Sequence, residues 1–149
     1  MKSLASPVVL SETRERLRML RVDDHPRWGM MTAKQMLRHL SCSCEVALGE
    51  RPVRPVKGLP PVLVKWVALR SGLRWMKNMR TTPELKRAMA VHSDANFDEL
   101  VDVTIAKVER LARESRFAPW HPMFGPMTEA DWMRWGYLHV DHYLRQFGR

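Results

Sequence analysis

The sequence predicts an all-α protein folded as a single-domain four-helix bundle, and three observations support this fold class. The chain has 149 residues, of which 45% are hydrophobic, so it is long enough and apolar enough to form a packed core. Its apolar residues recur at helical spacing, and no stretch shows the alternation of a half-buried strand. An eight-residue motif also occurs twice, as HPRWGMMT at 25–32 and as HPMFGPMT at 121–128.

The repeated motif marks two helix starts. Thr32 and Thr128 are good N-cap residues, because a threonine hydroxyl accepts a hydrogen bond from a free N–H of the first turn. Gln35 completes a capping box with Thr32, and Asp131 provides a weaker version with Thr128. We interpret the motif as a duplicated helix–loop–helix unit, which predicts approximate internal two-fold symmetry in the bundle. Chance similarity between two helix-start signals is the alternative.

The four bundle helices and the connections between them follow from the periodic patterns and their breakers. The first helix begins at Ser11 as its N-cap, and the second stops before Gly49, a residue type favoured after a helix end. The chain is predicted to form helices at 11–21, 32–48, 94–116 and 128–147, with a proline-rich linker at 50–60, a short apolar helix at 61–70 and an irregular segment at 71–92.

Composition excludes several classes of protein. No run of 18 or more apolar residues occurs, so no membrane span is expected, and no secretory signal is visible. Cys42 and Cys44 are the two cysteines, and on a helix they project to opposite sides, so neither a mutual disulfide nor a shared metal is expected. This cysteine usage predicts a cytoplasmic location.

The positive charge is concentrated in the connection between the second and third bundle helices. The chain carries a net charge of +9, and residues 51–87 contain ten Lys or Arg against the single acid Glu84, a local charge of +9. The remainder therefore balances. Trp66 and Trp75 lie among these cations, a composition compatible with contact to an anionic lipid or nucleic acid surface. A solvated basic face with core tryptophans is the ordinary alternative.

Three histidines are the candidate chemical groups. His39 lies at the inward edge of the second helix, and His139 and His142 lie on the apolar side of the fourth, where residues three apart are neighbours. A bundle could bring these three imidazoles together, and three protein ligands with an open fourth position are typical of a catalytic metal site. Alternatively, each histidine simply makes a buried hydrogen bond.

A pocket between the second and fourth helices is also predicted. Its expected lining consists of Tyr143, Trp132, Trp135 and Gln146, because aromatic side chains line most ligand pockets. His25 and His121 each precede a proline in the repeated turn, so we expect them to form loop hydrogen bonds. No serine nucleophile elbow and no glycine-rich phosphate loop occur, and the catalytic residues cannot be named from the sequence.

The segments WGMMTAKQMLRHL at 28–40 and HPMFGPMTEADW…HVDHYLRQFG at 121–148 resemble the DinB-like (YfiT-type) four-helix bundles, and more closely a bacterial branch without an assigned function. The resemblance implies a divalent metal, such as zinc or nickel, bound by one histidine of helix two and two of helix four. It also implies thiol-dependent chemistry in several relatives and homodimers in many.

Carried over by position, His39 and His139 match two of the family's ligands. The third ligand of the family usually stands four residues after the first on helix four, where this chain has Tyr143. His142, one position earlier, is the nearest imidazole, but it lies about 60° from His139 around the helix, in the direction opposite to Tyr143. A phenol is a poor ligand unless it is deprotonated.

Three functions therefore remain open from the sequence. The first is a metal-dependent enzyme, a hydrolase or a transferase that uses a low-molecular-weight thiol, with His39, His139 and His142 as metal ligands. The second is a metal-free module that binds a small molecule in the predicted pocket. The third is an interaction role for the basic segment 51–87.

Overall fold

The computed structural model describes residues 1–58, 60–78, 81–90 and 95–149. Within these ranges the chain is mostly helical, which confirms the all-α prediction, and no described helix is long and apolar enough to cross a membrane. The elements are α1 (Pro7–Arg18), α2 (Ala33–Ala47), α3 (Pro61–Arg70), α4 (Pro83–Ala90), α5 (Phe97–Arg113), β1 (Trp120–His121), β2 (Gly125–Pro126) and α6 (Glu129–Gln146).

Both predicted capping boxes are present and fix the starts of α2 and α6. The Gln35 N–H donates to Thr32 Oγ1 at 3.2 Å, and the Thr32 N–H donates to Gln35 Oε1 at 3.0 Å. The same reciprocal pair joins Thr128 and Asp131, with both distances 3.1 Å. Each box satisfies first-turn donors that have no partner within the helix. The two helices that carry the candidate histidines therefore begin where the sequence predicts.

The other helix boundaries required correction. α1 begins at Pro7 after Ser6, not at Ser11, because a proline in the first turn is already preset to helical φ and loses no hydrogen bond. α5 begins after Asn96, whose side chain accepts from the Glu99 N–H at 2.8 Å in a third capping box. The predicted start at Asp94 lies outside the described residues.

The segment predicted as irregular at 71–92 contains a helix, α4. Pro83 opens it, and Leu85 and Met89, one turn apart, are both buried on the same side. The sequence prediction also missed the hairpin of β1 and β2, in which Trp120 pairs with Pro126 and His121 with Gly125. Strands of two residues are too short to produce a periodic pattern.

The core lies where α1, α2, α5 and α6 pack against one another. Contacts join α5 to α1, α2 and α6, and join α6 to α1 and α2, while α4 packs on α2 and α3 on α6. Trp132 at the centre has no exposed surface. Gly136 allows close approach here, since a Cβ at this position would lie 2.7 Å from the Leu4 side chain and 3.1 Å from that of Leu111.

Candidate functional site

α2 and α6 bring two of the predicted histidines into direct contact. His39 Nε2 and His139 Nε2 lie 3.1 Å apart, although 100 residues separate them in the chain. His39 is buried and His139 is half-buried. This distance fits a hydrogen bond in which one imidazole donates to the other. It also fits two ligands of one ion, because zinc–nitrogen bonds of about 2.0–2.1 Å place neighbouring ligand atoms about 3–3.4 Å apart.

Tyr143 completes a cluster of rings with this pair. Its ring centroid lies 4.6 Å from that of His39 and 5.1 Å from that of His139, one helical turn away. Burial raises the pKa of Tyr143 to about 12, although a hydrogen bond with the Thr81 side chain acts in the opposite direction. The phenol is therefore protonated at neutral pH and can exchange hydrogen bonds with a bound molecule, but without a nearby cation it is a poor metal ligand.

His142 does not join the other two histidines in a metal-binding set. Its ring lies beside those of Tyr143, Trp28 and Trp75, at 5.2, 5.7 and 6.1 Å. Among the described residues, no three His, Cys, Asp or Glu side chains lie close enough to hold an ion. The reason is the spacing of three residues from His139, which turns the later imidazole to another side of α6. Of the three predicted histidines, His39 and His139 thus form a pair, and His142 lies nearby.

The site keeps its imidazoles neutral. Burial, with a smaller contribution from the charge of protonated His142, lowers the pKa of His39 to about 4. The pKa of His139 lies well below its usual value, chiefly because of burial and then because of His39. Burial and Arg145 also lower the pKa of His142. At neutral pH these rings are unprotonated bases with free lone pairs, as metal coordination or proton acceptance requires.

A pocket opens beside the pair. Its volume is about 90 Å³, enough for several water molecules or part of a small ligand. The described lining residues include no Lys, Arg, Asp or Glu, so the pocket presents aromatic and apolar surface around a few neutral polar groups. Side chains from α2, α4, α6, the hairpin and the segment after α3 form the wall, among them Val46, Leu85, Tyr143, Phe124 and Trp75.

Unpartnered polar atoms are concentrated at this pocket. His39 Nδ1, His142 Nδ1 and Ser43 Oγ are buried without a hydrogen-bond partner, and all three residues line the pocket. Only two other buried side-chain atoms of the described residues lack a partner. An unsatisfied buried polar group costs about 1–3 kcal/mol. Three of them at one cavity indicate that water or a ligand occupies it in solution.

The predicted pocket lining is only half correct. Tyr143 and Trp135 line the pocket, and Trp135 stacks on His139 with ring centroids 4.7 Å apart. Trp132 lies deeper in the core and donates from Nε1 to the Ala118 carbonyl at 2.8 Å. Gln146 lies beyond the pocket and donates from Nε2 to the Trp28 carbonyl at 2.6 Å. Trp132 and Gln146 were correctly placed around the helix axis, but their positions along α6 put them above and below the cavity.

His121 combines the predicted loop role with a place in the pocket wall. Its Nδ1 accepts hydrogen bonds from the Met123 and Phe124 N–H groups at 3.1 and 3.3 Å, which confirms the loop role. Its Nε2 therefore carries the proton. The ring stacks on Phe124 at 4.3 Å, and burial lowers its pKa to about 3.

Trp75, Ser43 and Phe124 are pocket residues that sequence reasoning missed. Phe124 could have been found from the repeated motif, because it occupies the position that is aromatic in both copies, where the first copy has Trp28. Ser43 lies one turn after His39 on α2 and could have been found from that spacing. Trp75 could not, because its segment has no periodic pattern. Its Nε1 donates to the Ala68 carbonyl at 2.9 Å, which folds the segment back over the pocket.

The donor set fits a metal ion in part. His39 and His139 supply two neutral imidazoles at ligand spacing, and the pocket beside them leaves room for water or substrate on the same ion. A third ligand from the described His, Cys, Asp or Glu residues is not in place.

In the comparison with known proteins, one family matches nearly the whole chain. The model of the family described as "Protein of unknown function (DUF1569)" matches residues 5–149. Neither a curated protein nor a solved structure matches. The match includes both capping boxes, the histidine pair and the pocket. The chain therefore belongs to the DUF1569 family.

Proposed function

We propose that this protein is a DinB-like four-helix bundle that binds a divalent metal between α2 and α6 and acts as an enzyme of the hydrolase or thiol-dependent transferase class. The observation that carries the proposal is the 3.1 Å separation of His39 Nε2 and His139 Nε2 beside a pocket. These two residues are the ligands that the resemblance assigns to helices two and four.

The packing of the helices supports the bundle part of the proposal. α1, α2, α5 and α6 make five of their six pairwise contacts, with α3 and α4 as additions in the connection between α2 and α5. The matched capping boxes at Thr32 and Thr128 support a duplicated unit. Homodimerisation belongs to the same proposal, since many DinB-like proteins form dimers, and sedimentation of the full chain measures it.

The third ligand is the open part of the proposal. Tyr143 holds the family's usual position, and its ring touches both histidines. His142 lies next to Tyr143, has an unpartnered Nδ1, and is near enough to influence the pKa of His39. We assign the third position to His142, whose ring would have to be brought to the pair by a rotation of α6 or a distortion of the site. When bound, the ion would polarise substrate or lower the pKa of a coordinated water or thiol.

The rest of the site would bind and enclose the substrate. Trp75, Phe124 and Trp135 provide apolar walls that exclude water, and Ser43 Oγ provides a hydrogen-bonding group inside them. The neutral lining favours a substrate that brings an uncharged body to the ion.

Metal content tests the proposal. Protein purified without a histidine tag should contain close to one zinc or nickel per chain, and His39→Ala and His139→Ala should each lower occupancy at least about tenfold. His25→Ala is the matched control, because His25 is exposed and lies away from the pocket lining. Absence of metal in the natural protein, together with no thermal shift on adding zinc or nickel, would contradict the proposal.

The second candidate is a metal-free module that binds a small molecule. It is favoured by one specific observation, the absence of a third metal-binding side chain among the described residues while three polar atoms remain unpartnered around the pocket. In this case the histidine pair is a hydrogen bond. A thermal-shift screen with low-molecular-weight thiols, small acids and neutral aromatic compounds tests it, with Ser43→Val as the pocket variant. Stabilisation by a compound in metal-free protein, lost in that variant, would favour this candidate.

A further inference from the structure

The outer side of α3 is an exposed apolar surface. Val62, Leu63, Trp66 and Val67 lie on one side of this helix, and Val62 and Trp66 are 70% and 60% exposed. Leu73 and Met76 extend exposed apolar surface into the segment that follows. A monomeric protein rarely exposes contiguous apolar side chains of this size without a partner. Here they follow one another in a single element, so the arrangement differs from scattered surface residues.

α3 is held rigidly with this side outward. Leu69 on its inner side is fully buried in the core. Lys65 Nζ and an Arg70 guanidinium nitrogen bind the buried Asp131 carboxylate at 3.2 and 2.9 Å. Trp75 Nε1 bonds the carbonyl of Ala68. Turning the apolar side inward would break all of these contacts, so its exposure is a stable property of the fold.

Exposed cations flank α3 in the chain. Arg54 and Lys57 precede α3, and Arg74 follows it, and none of the three forms an ion pair with a described carboxylate. They belong to the segment 51–87, where ten basic residues accompany one acid. Trp120, on the hairpin, is also exposed and lies beside the start of α3, since it and Pro61 both approach Gly125.

We propose that the α3 surface, defined by Val62, Leu63, Trp66 and Val67 together with the flanking cations Arg54, Lys57 and Arg74, docks the protein on a membrane surface rich in anionic lipid. Apolar and tryptophan side chains would enter the boundary between headgroups and acyl chains, while the cations would remain at the phosphates. Each Lys or Arg near such a surface adds to the attraction. This occupant complements both the apolar and the basic character.

A second copy of the chain fits this surface less well. A two-fold interface places the same patch against itself, so Arg54, Lys57 and Arg74 would face identical cations. A nucleic acid would match the charge but not the four apolar side chains, because binding to phosphates gives no reason to expose them. The membrane surface is therefore the partner that charge and apolarity together favour, and it is independent of whether the pocket binds metal.

The location of the pocket adds a consequence. Trp75 lines the pocket and lies between the exposed residues Leu73 and Met76. A neutral apolar compound dissolved in the lipid would thus meet the pocket wall close to the docking surface. Its uncharged lining suits such a compound.

Vesicle binding by the full chain tests the proposal. The protein should sediment with vesicles of phosphatidylcholine mixed with phosphatidylglycerol, should bind vesicles of phosphatidylcholine alone at least about tenfold more weakly, and should be released by added salt. Val62→Glu should weaken binding at least about tenfold, because it removes an inserting side chain and adds a charge that the surface repels.

Val8→Glu is a matched control. Val8 and Val62 each follow the proline that opens a helix, and they are 67% and 70% exposed. Arg74→Glu and Arg21→Glu form a second pair, since both arginines are exposed and both substitutions change the net charge equally. The control variants should bind vesicles within about twofold of the natural protein.

Four results would overturn the proposal. They are no binding to either vesicle, equal binding to both, equal effects of Val62→Glu and Val8→Glu, and a dimer that Val62→Glu dissociates without any vesicle binding. Retention on duplex DNA that Arg74→Glu abolishes and Val62→Glu leaves intact, with no vesicle binding, would assign the surface to nucleic acid instead.

Discussion

The helix pair α2 and α6 and the basic segment 51–87 are built on different principles. α2 and α6 are charge-balanced, capped by their own sequence, and joined across the core by a histidine pair. The basic segment carries +9 and packs on the core through α4 against α2, through the buried Leu69 of α3, and through the contacts of Lys65 and Arg70 with Asp131. Our proposals place the chemistry in the first region and the surface contact in the second.

Acid should have the largest effect, and it acts on the first region together with the hairpin before α6, which carries His121. His39 and His121 have pKa values of about 4 and about 3 in the folded protein and 6.5 in the unfolded chain. The unfolded chain binds protons first, so stability is full above pH 6.5 and falls as the pH drops below it. The loss is up to about 1.4 kcal/mol per pH unit for each buried histidine. Denaturant titrations of metal-free protein between pH 7 and pH 4 measure it.

The control for acid is a variant comparison. His121→Asn should make the pH dependence shallower by about one proton, because an asparagine carries no titrating group. His25→Asn should leave it unchanged, since His25 is exposed. An unchanged slope in His121→Asn would show that the buried imidazole is not what makes the first region acid-sensitive.

Asp131→Ala should weaken the attachment of the basic segment 51–87 to α6. Asp131 is 3% exposed, caps α6 through Thr128 and binds Lys65 and Arg70. Its loss removes a cap and two charge-assisted hydrogen bonds, so we expect the free energy of unfolding to fall by about 2–3 kcal/mol. Urea denaturation measures the change. Glu129→Ala is the control in the same first turn, because Glu129 is exposed, and an equal loss in both variants would contradict the coupling.

The two N-cap residues, Thr32 and Thr128, should give the smallest change in the free energy of unfolding. Thr32→Ala and Thr128→Ala should each lower the free energy of unfolding by about 1 kcal/mol, since each removes one side-chain acceptor from an N-cap. Similar values would support equivalent roles for the two copies of the motif. Thr32→Ser and Thr128→Ser keep the hydroxyl and should retain most of the stability. A loss confined to one copy would argue against the duplicated unit.

The local parts of the first region could be predicted from the sequence. A capping box needs only residues within one turn, so the starts of α2 and α6 followed from Thr32 and Thr128. The short helix at 61–70 was also correct to the residue, because prolines and a serine bound its apolar run. The inward orientation of His39 followed from its place on the wheel, which allowed a bundle to bring it near the histidines of α6.

The features of the site that could not be predicted depend on contacts between residues that are not neighbours in the chain. Trp75 enters the pocket because its indole bonds Ala68 and packs near Phe124, and neither contact leaves a periodic trace. Trp132 and Gln146 lie too far along the axis of α6 in either direction to line the pocket. A helical wheel shows the direction of a side chain but not its position along the axis. The positions of His139 and His142 relative to His39 likewise depend on how α6 is rotated against α2.

Metal analysis of the His139→Ala variant beside the natural protein tests the central claim most directly. Both proteins, expressed without a tag and passed through the same columns, are analysed for zinc and nickel. The account predicts close to one ion per chain in the natural protein and an at least about tenfold lower content in His139→Ala, with His25→Ala unchanged. Equal metal content in all three proteins, or none in any of them, would contradict it.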